Sequence, residues 1–146
     1  MNALETLKAK GDVSIVLTKA NGQVENLDIR NLVVTSGLNY IVSRMKDTSA
    51  TAMSHMAVGA GATAAAAGDT ALGSELGRVA LTSTTVSANT VTYVASFGAG
   101  TGTGAVTEAG ILNASSAGTL LCRTVFPVVN KQAGDSMTIT WVITVS

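Results

Sequence analysis

The stretch from Val79 to Thr107 contains no charged side chain, and this absence constrains the fold more than any other feature of the sequence. The stretch is rich in Thr, Ser, Gly, Ala and Val, and apolar residues recur at alternate positions, at Val91, Tyr93, Ala95 and Phe97. Such alternation is typical of a β-strand with one buried face. Only 12% of the chain is Asp, Glu, Lys or Arg, about half of the roughly 25% found in ordinary soluble domains. We therefore expect a β-rich subunit whose surface is covered by neighbouring proteins.

The 146 residues are enough for one domain with its own core. We predict an N-terminal arm over residues 1–10 and a single β-sandwich domain over residues 11–146. Leu4 and Leu7 are predicted to seat this arm on a partner during assembly. Nine basic and nine acidic residues give a net charge of zero, so we expect no binding to nucleic acid or to an anionic membrane.

The sequence indicates neither secretion nor membrane insertion. The first ten residues lack a sustained apolar core and a cleavage pattern, so we predict no signal peptide, and synthesis and use inside a cell or inside a particle made there. No segment approaches the roughly 20 consecutive apolar residues of a membrane span. The single cysteine, Cys122, lies in an apolar alternating run and is predicted to be a buried, unreactive thiol.

A β-hairpin is the clearest local prediction. Two alternating segments, residues 12–19 and 23–30, flank Asn21-Gly22, a dipeptide that favours tight hairpin turns.

One amphipathic helix is predicted after this hairpin, over residues 37–46. Ser36 is placed to cap its N-terminus. Four apolar residues share one helical face, which we expect to pack on the sheet: Leu38, Ile41, Val42 and Met45.

The rest of the chain is predicted to be strands and turns. Residues 60–69 are rich in Ala but bordered by glycines, which favours a loop, and residues 70–78 are predicted to be rich in turns before the segment 79–84. In the last strand, Met137, Ile139, Trp141, Ile143 and Val145 are predicted to face the core and the intervening, Thr-rich positions to face outward. Seven or eight short strands with one helix predict a mainly β protein, an antiparallel β-sandwich of possible jelly-roll type. The remaining strands are predicted at 54–59, 90–97, 105–112, 119–126 and 136–145.

No group of residues predicts catalysis, a cofactor or a metal. Residues 59–64 match the Gly-x-Gly-x-x-Ala pattern of dinucleotide-binding loops, but no long helix and no parallel strand follow them. The glycines at 98–104 lack the Lys-Ser/Thr pair of a phosphate loop and predict a hairpin connection. His55 has no ligand at metal-binding spacing, and nothing indicates that it activates Cys122. We predict that the protein is not an enzyme.

Glu108 and Arg123 are each a lone charge in an apolar, strand-like run. Charged groups are buried mainly when they are paired and hydrogen-bonded. One interpretation is a structural ion pair, within the sheet or between subunits, that fixes strand register. The other is that both side chains face water on the polar side of their strands.

Six short motifs follow one another between residues 30 and 145: Asn31-Leu-Val-Val-Thr-Ser-Gly-Leu-Asn39, His55-Met-Ala-Val-Gly-Ala-Gly61, Gly68-Asp-Thr-Ala-Leu-Gly73, Thr107-Glu-Ala-Gly-Ile-Leu112, Arg123-Thr-Val-Phe126 and Thr138-Ile-Thr-Trp141. In this order the motifs resemble small virion structural proteins of tailed bacteriophages. Such proteins are variously labelled as head decoration, cement or tail-fibre-like proteins.

The resemblance implies a non-enzymatic part of a phage virion, without catalytic, cofactor-binding or metal-binding residues. A capsid decoration or cement protein would lie on the outer capsid surface, bind the major capsid protein where its subunits meet, and associate with itself as a trimer or dimer. A tail, baseplate or fibre component is the first alternative. A small ligand- or carbohydrate-binding β-sandwich is another, for which Asp69, Glu75 and Asp135 are the only acids near predicted loops.

Overall fold

A computed structural model of the chain describes residues 7–46 and 51–146. Leu4 of the predicted arm lies outside the described residues. The described part contains one helix and nine strands: β1 (Ala9–Thr18), β2 (Val24–Val33), α1 (Thr35–Arg44), β3 (His55–Gly59), β4 (Glu75–Ala80), β5 (Ser83–Ser87), β6 (Thr90–Phe97), β7 (Gly104–Leu112), β8 (Leu120–Lys131) and β9 (Ser136–Val145).

The strands form one antiparallel sheet in the order β4-β3-β7-β8-β2-β1-β9-β6-β5, curled into a half-barrel. β2 joins its two halves, because residues 24–31 pair with β1 whereas Leu32 and Val33 pair with β8. The prediction of a mainly β, antiparallel protein with one short helix is confirmed. β1 begins at Ala9, so the last two residues of the predicted arm belong to the sheet.

The core fills the concave side of the curled sheet. In β9 the buried residues are Met137, Ile139, Trp141 and Ile143, and the residues between them are half-buried on the convex side. β6 follows the same rule, with Tyr93, Ala95 and Phe97 buried. The alternation predicted for these two strands is therefore confirmed, except that Val145, at the end of β9, is only half-buried.

A second, smaller apolar cluster lies on the other side of β3, β7 and β8. Val34, Ala57, Leu112 and Leu120 are buried there, and Leu72 packs against them. Leu72 belongs to the long β3–β4 connection, residues 60–74. This connection, hereafter the covering loop, therefore packs against the sheet through Leu72, while most of its residues remain exposed.

The predicted hairpin is confirmed, with Thr18 opposite Val24 and the chain turning between them.

The prediction that residues 70–78 are rich in turns is partly wrong, since residues 75–80 form the edge strand β4 against β3. Gly77 lowers the intrinsic β-propensity of this segment, so pairing with β3 decides its structure.

β8 continues past its predicted end at Phe126, and the ladder with β7 shifts register at Pro127. Proline is tolerated at such an irregularity because no ladder hydrogen bond is required of it.

The glycine-rich connection at 98–104 is not the predicted hairpin. β6 pairs with β5 and β9, whereas β7 pairs with β3 and β8, so residues 98–104 cross from one half of the sheet to the other. Gly102 has φ of +63°, and a Cβ there would lie 2.7 Å from Val58. Glycine is therefore needed where this crossing passes over the core.

Helix α1 is present but differs from its prediction in two ways. Val34 is the N-cap residue and makes no side-chain capping bond, while Ser36 donates its hydroxyl to the carbonyl of Leu120 at 2.8 Å. The predicted apolar face is mostly exposed: Leu38 is 46%, Val42 64% and Met45 81% accessible, and Ile41 alone of the four packs against the core.

Gly37 explains this orientation of α1. A Cβ on Gly37 would run into the carbonyl oxygen of Leu121. The helix therefore rests on β8 through its glycine, and Tyr40 joins Ile41 in closing the core.

Candidate functional site

Glu108 on β7 and Arg123 on β8 form an ion pair inside the protein. Nη2 and Nε of Arg123 each lie 2.9 Å from Oε2 of Glu108. Glu108 is fully buried and Arg123 is 3% exposed. The register places Arg123 opposite Gly110, two residues along β7 from Glu108, so the pair is diagonal between adjacent strands. Of the two sequence interpretations, this geometry corresponds to a pair within the sheet.

The covering loop surrounds the Glu108 carboxylate with backbone N–H groups. Oε1 accepts hydrogen bonds from Gly61 at 2.8 Å and Ser74 at 2.7 Å, and Oε2 accepts one from Gly73 at 2.8 Å. Thr107, next to Glu108, donates its hydroxyl to the carbonyl of Gly61 at 2.8 Å. A convergent set of backbone donors is a typical binding site for an anion. Here the anion is a side chain of the same protein.

Glycine is required where the loop meets this carboxylate. A Cβ on Gly61 would lie 2.5 Å from Oε1 of Glu108, and a Cβ on Gly59 would run into the carbonyl of Ser74. These glycines belong to the segment that matches the dinucleotide-binding pattern. Their close approach is made to Glu108, so the pattern reflects packing around an internal carboxylate.

Arg123 also holds the interior of the covering loop, between the two ends that Glu108 binds. Nη1 lies 2.8 Å from Oδ2 of Asp69, and Nη2 donates to the carbonyl of Thr63 at 3.0 Å. The same Asp69 oxygen accepts the backbone N–H of Ala66 at 2.9 Å. Together, Glu108 and Arg123 bind the loop near residues 61, 63, 69, 73 and 74. We call this group of contacts the loop clamp.

The loop clamp sets the electrostatics of both carboxylates. Burial alone would raise the pKa of Glu108, but the N–H groups of Gly73 and Ser74 and the guanidinium of Arg123 outweigh it, and the pKa is lowered. The N–H of Ala66 and the guanidinium likewise lower the pKa of Asp69 against the effect of burial. Both groups are therefore held as carboxylates and have no proton to donate at neutral pH.

The other acids considered for a carbohydrate site also make internal contacts. Glu75 forms a pair with Arg78, whose Nη2 lies 2.7 Å from its Oε1. Asp135 is 3% exposed and accepts the N–H groups of Ala20 and Gln132 at 3.0 and 2.8 Å. These two hydrogen bonds lower the pKa of Asp135 and join the β1–β2 turn to the β8–β9 turn.

His55 and Cys122 do not form a catalytic pair. Nδ1 of His55 lies 2.8 Å from the hydroxyl of its neighbour Ser54. Cys122 is fully buried in the main core, and burial raises the pKa of its thiol. Among the described residues, no three His, Cys, Asp or Glu side chains lie close enough together to hold a metal ion.

The convex side of β5, β6 and β9 forms an uncharged surface that extends over three adjacent strands. Cross-strand pairs such as Thr92–Val142 and Val94–Thr140 continue from strand to strand along it. Towards β1 and β2 the surface becomes charged, at a shallow groove of about 420 Å³ that includes Asp12, Asp28 and Arg30. We call the uncharged surface the Thr-rich face, and its residues are Ser83, Thr85, Ser87, Thr90, Thr92, Val94, Ser96, Thr138, Thr140, Val142 and Thr144.

Leu7 is 73% exposed and lies just before the backbone of Lys8 pairs with that of Ser146. Its predicted role in assembly stays a prediction. No helix in residues 7–46 or 51–146 is long and apolar enough to cross a membrane.

The sequence identified the two charged partners of the loop clamp but missed its other half. Asp69 was considered only as a loop acid, Gly59 and Gly61 only as part of a dinucleotide-like pattern, and Gly73 only as part of a segment rich in turns. The signal that links them is a lone acid in an apolar strand together with a glycine-rich segment able to approach it closely.

Comparisons with known proteins add no assignment. No family model matches the sequence, and no curated protein or solved structure is significantly similar to the chain.

Proposed function

We propose that this chain is a non-enzymatic structural protein of a tailed-bacteriophage virion, and specifically a capsid decoration or cement protein. The observation that carries the proposal is the Thr-rich face, a convex surface on three adjacent strands without a single charged side chain. A free protein relies on surface charge for solubility, whereas a subunit fixed in an assembly does not. The partner that covers the face is the major capsid protein, where its subunits meet on the outer surface of the head.

The chemistry of the Thr-rich face suits many weak contacts. Thr and Ser hydroxyls can donate and accept hydrogen bonds, and their methyl groups and the valines add apolar area. Such contacts contribute little one by one, but a repeated lattice of subunits makes their sum large. A neutral surface also avoids repulsion between neighbouring copies, which is consistent with association of the protein with itself.

The loop clamp supports a structural role. It fixes the covering loop to β7 and β8 through charged hydrogen bonds that are shielded from water. A protein that stabilises a head against internal pressure needs loops that do not open under load. Within this proposal, the two halves of the curled sheet act as the layers of the β-sandwich or jelly roll predicted from the sequence.

Reconstruction of the virion of the phage that encodes this chain, by cryo-electron microscopy, tests the proposal. Density for the chain repeated over the outer capsid, at junctions of major capsid subunits, is the expected result. Density confined to the tail, neck or baseplate would contradict the cement function and favour a tail, baseplate or fibre component. Absence of the chain from the particle would overturn the virion proposal and leave a ligand-binding β-sandwich.

A pair of variants tests the surface itself. Thr92 lies on the middle strand of the Thr-rich face, between Thr85 and Val142. Thr92→Lys should abolish co-sedimentation with heads that lack the protein, because the added charge would be buried without a partner. Ser116→Lys adds the same charge at an exposed loop position and should bind normally. Equal binding by both variants would exclude the Thr-rich face as the docking surface.

A further inference from the structure

Strand β5 is an open edge of the sheet. It pairs only with β6 in the described structure, and all five of its side chains are exposed, Val86 to 74%. Along its other side, alternate residues direct N–H and C=O groups outward. A row of this kind is a template for pairing with another strand.

The two edges of the sheet differ in their protection. The opposite edge, β4, carries Glu75 and Arg78, which pair with each other, and Arg78 also donates to the carbonyls of Ala114 and Ala117 at 2.9 Å. Charges on an edge strand discourage pairing with another chain. β5 has the sequence Ser-Thr-Thr-Val-Ser, without charge and without proline. It therefore lacks the usual features that block such pairing.

We propose that β5 pairs with β5 of a second copy of this chain, antiparallel and about a two-fold axis at Thr85. In this register Thr85 faces its own counterpart, Thr84 faces Val86, and Ser83 faces Ser87. Every opposed pair is uncharged, and the central positions are β-branched residues that favour strands. The surface is thus self-complementary, as a two-fold interface requires.

The pairing joins the sheets of two copies through β5 and makes their Thr-rich faces continuous across the axis. It deepens the proposed function, since it would double the uncharged surface offered to a capsid, but it depends on β5 alone. Pairing through a five-residue edge buries less surface than the roughly 1,200–2,000 Å² that stable interfaces bury. The dimer should accordingly form in the micromolar range and be strengthened where copies are concentrated on a lattice.

Disulfide trapping tests the axis. Residues directly opposite each other on antiparallel strands have Cα atoms about 4.5–5.5 Å apart, within the range that a disulfide spans. The full-length Thr85→Cys variant should therefore form covalent dimers under mild oxidation. Ser96→Cys is the control, because it places a thiol on the same face but on β6. Cross-linking of Thr85→Cys no faster than that of Ser96→Cys would overturn the proposal.

A charge on the edge provides an independent test. Val86→Lys should make the protein monomeric in sedimentation experiments at concentrations where the unmodified chain dimerises. Val128→Lys, which changes a valine that is 53% exposed on β8, should dimerise normally. An unmodified chain that is monomeric throughout the micromolar range, or a dimer that survives Val86→Lys, would reject the pairing. The virion proposal is judged separately, by whether monomeric Val86→Lys still binds heads.

Discussion

The carboxylate of Glu108 and the guanidinium of Arg123 meet 2.9 Å apart between adjacent strands, and the backbone of a loop that follows another strand encloses the carboxylate. These contacts fix the covering loop to the sheet, although most of its residues are exposed. A buried ion pair is weak evidence for added stability, because desolvation opposes the attraction between the charges. Removing one partner is different, since it leaves the other charge buried and unpaired.

We expect Glu108→Gln to lower the free energy of unfolding by about 3–5 kcal/mol, the usual loss when one partner of a buried pair is removed. The amide has nearly the same shape, but its NH₂ group would face other donors, from Gly73 or from Gly61 and Ser74. Urea denaturation followed by the fluorescence of Trp141, the only tryptophan, measures the change. Glu25→Gln is the control, because it breaks an exposed pair with Lys19 and should change stability little. Equal effects of the two substitutions would contradict a stabilising role for the loop clamp.

Low pH should reduce the stability of the folded protein by protonating the carboxylates of Glu108 and Asp69. Because the pKa values of Glu108 and Asp69 are lower in the folded protein than their ordinary values of 4.5 and 3.8, the unfolded chain binds protons more readily. Their contribution to stability is therefore complete above about pH 5 and is lost as the pH falls through the folded values. The urea midpoint should fall between about pH 5 and pH 3, and less steeply in Glu108→Gln. If the urea midpoint depended on pH equally in the unmodified chain and in Glu108→Gln, Glu108 would not be the source of the stability lost in acid.

Local patterns predicted much of the fold, and long-range contacts account for what they missed. The period of two in β6 and β9 identified their buried faces, because it depends only on adjacent residues. The loop clamp joins Glu108 to Gly61 and Gly73, which are 47 and 35 positions away in the sequence. A periodic pattern of neighbouring residues cannot indicate a contact over such a separation. In α1, periodicity grouped Leu38 with Ile41, but the contact of Gly37 with β8 determines which of them is buried.

We expect Gly61→Ala to destabilise the protein by about 1–3 kcal/mol, the usual range for overpacking. The new methyl group would lie 2.5 Å from the Glu108 carboxylate, which hydrogen bonds hold in place. Gly68→Ala in the same loop is the matched control, because a Cβ there meets nothing within 4 Å. It should be neutral or slightly stabilising, since alanine restricts the unfolded chain. Thermal unfolding distinguishes the two, and equal melting temperatures would contradict the close approach of the loop.

The orientation of α1 predicts opposite results for two neighbouring residues. Ile41→Ala should lower stability by about 1–3 kcal/mol, because Ile41 packs against the core. Val42→Ala should change it by no more than about 0.5 kcal/mol, because Val42 is 64% exposed. Urea unfolding of the two variants is the measurement. A larger loss for Val42→Ala would mean that the apolar face predicted from the sequence is the buried one after all.

Cys122 provides a readout of how tightly the two halves of the sheet are joined. It lies on β8 opposite Val33, where β2 connects the halves, and it is fully buried. The thiolate, not the thiol, attacks a sulfur of the disulfide reagent and releases the other sulfur as a thiolate; burial both blocks access to Cys122 and raises its pKa. The native protein should therefore resist a disulfide reagent that reacts at once with Cys122 in urea and with the added thiol of Ser96→Cys. Glu108→Gln should increase the reaction rate of Cys122 exponentially with its loss of stability, because labelling requires the buried region to open and the open population depends exponentially on the free energy of opening. Rapid labelling of the native chain would show that the junction of β2 and β8 is open to solvent.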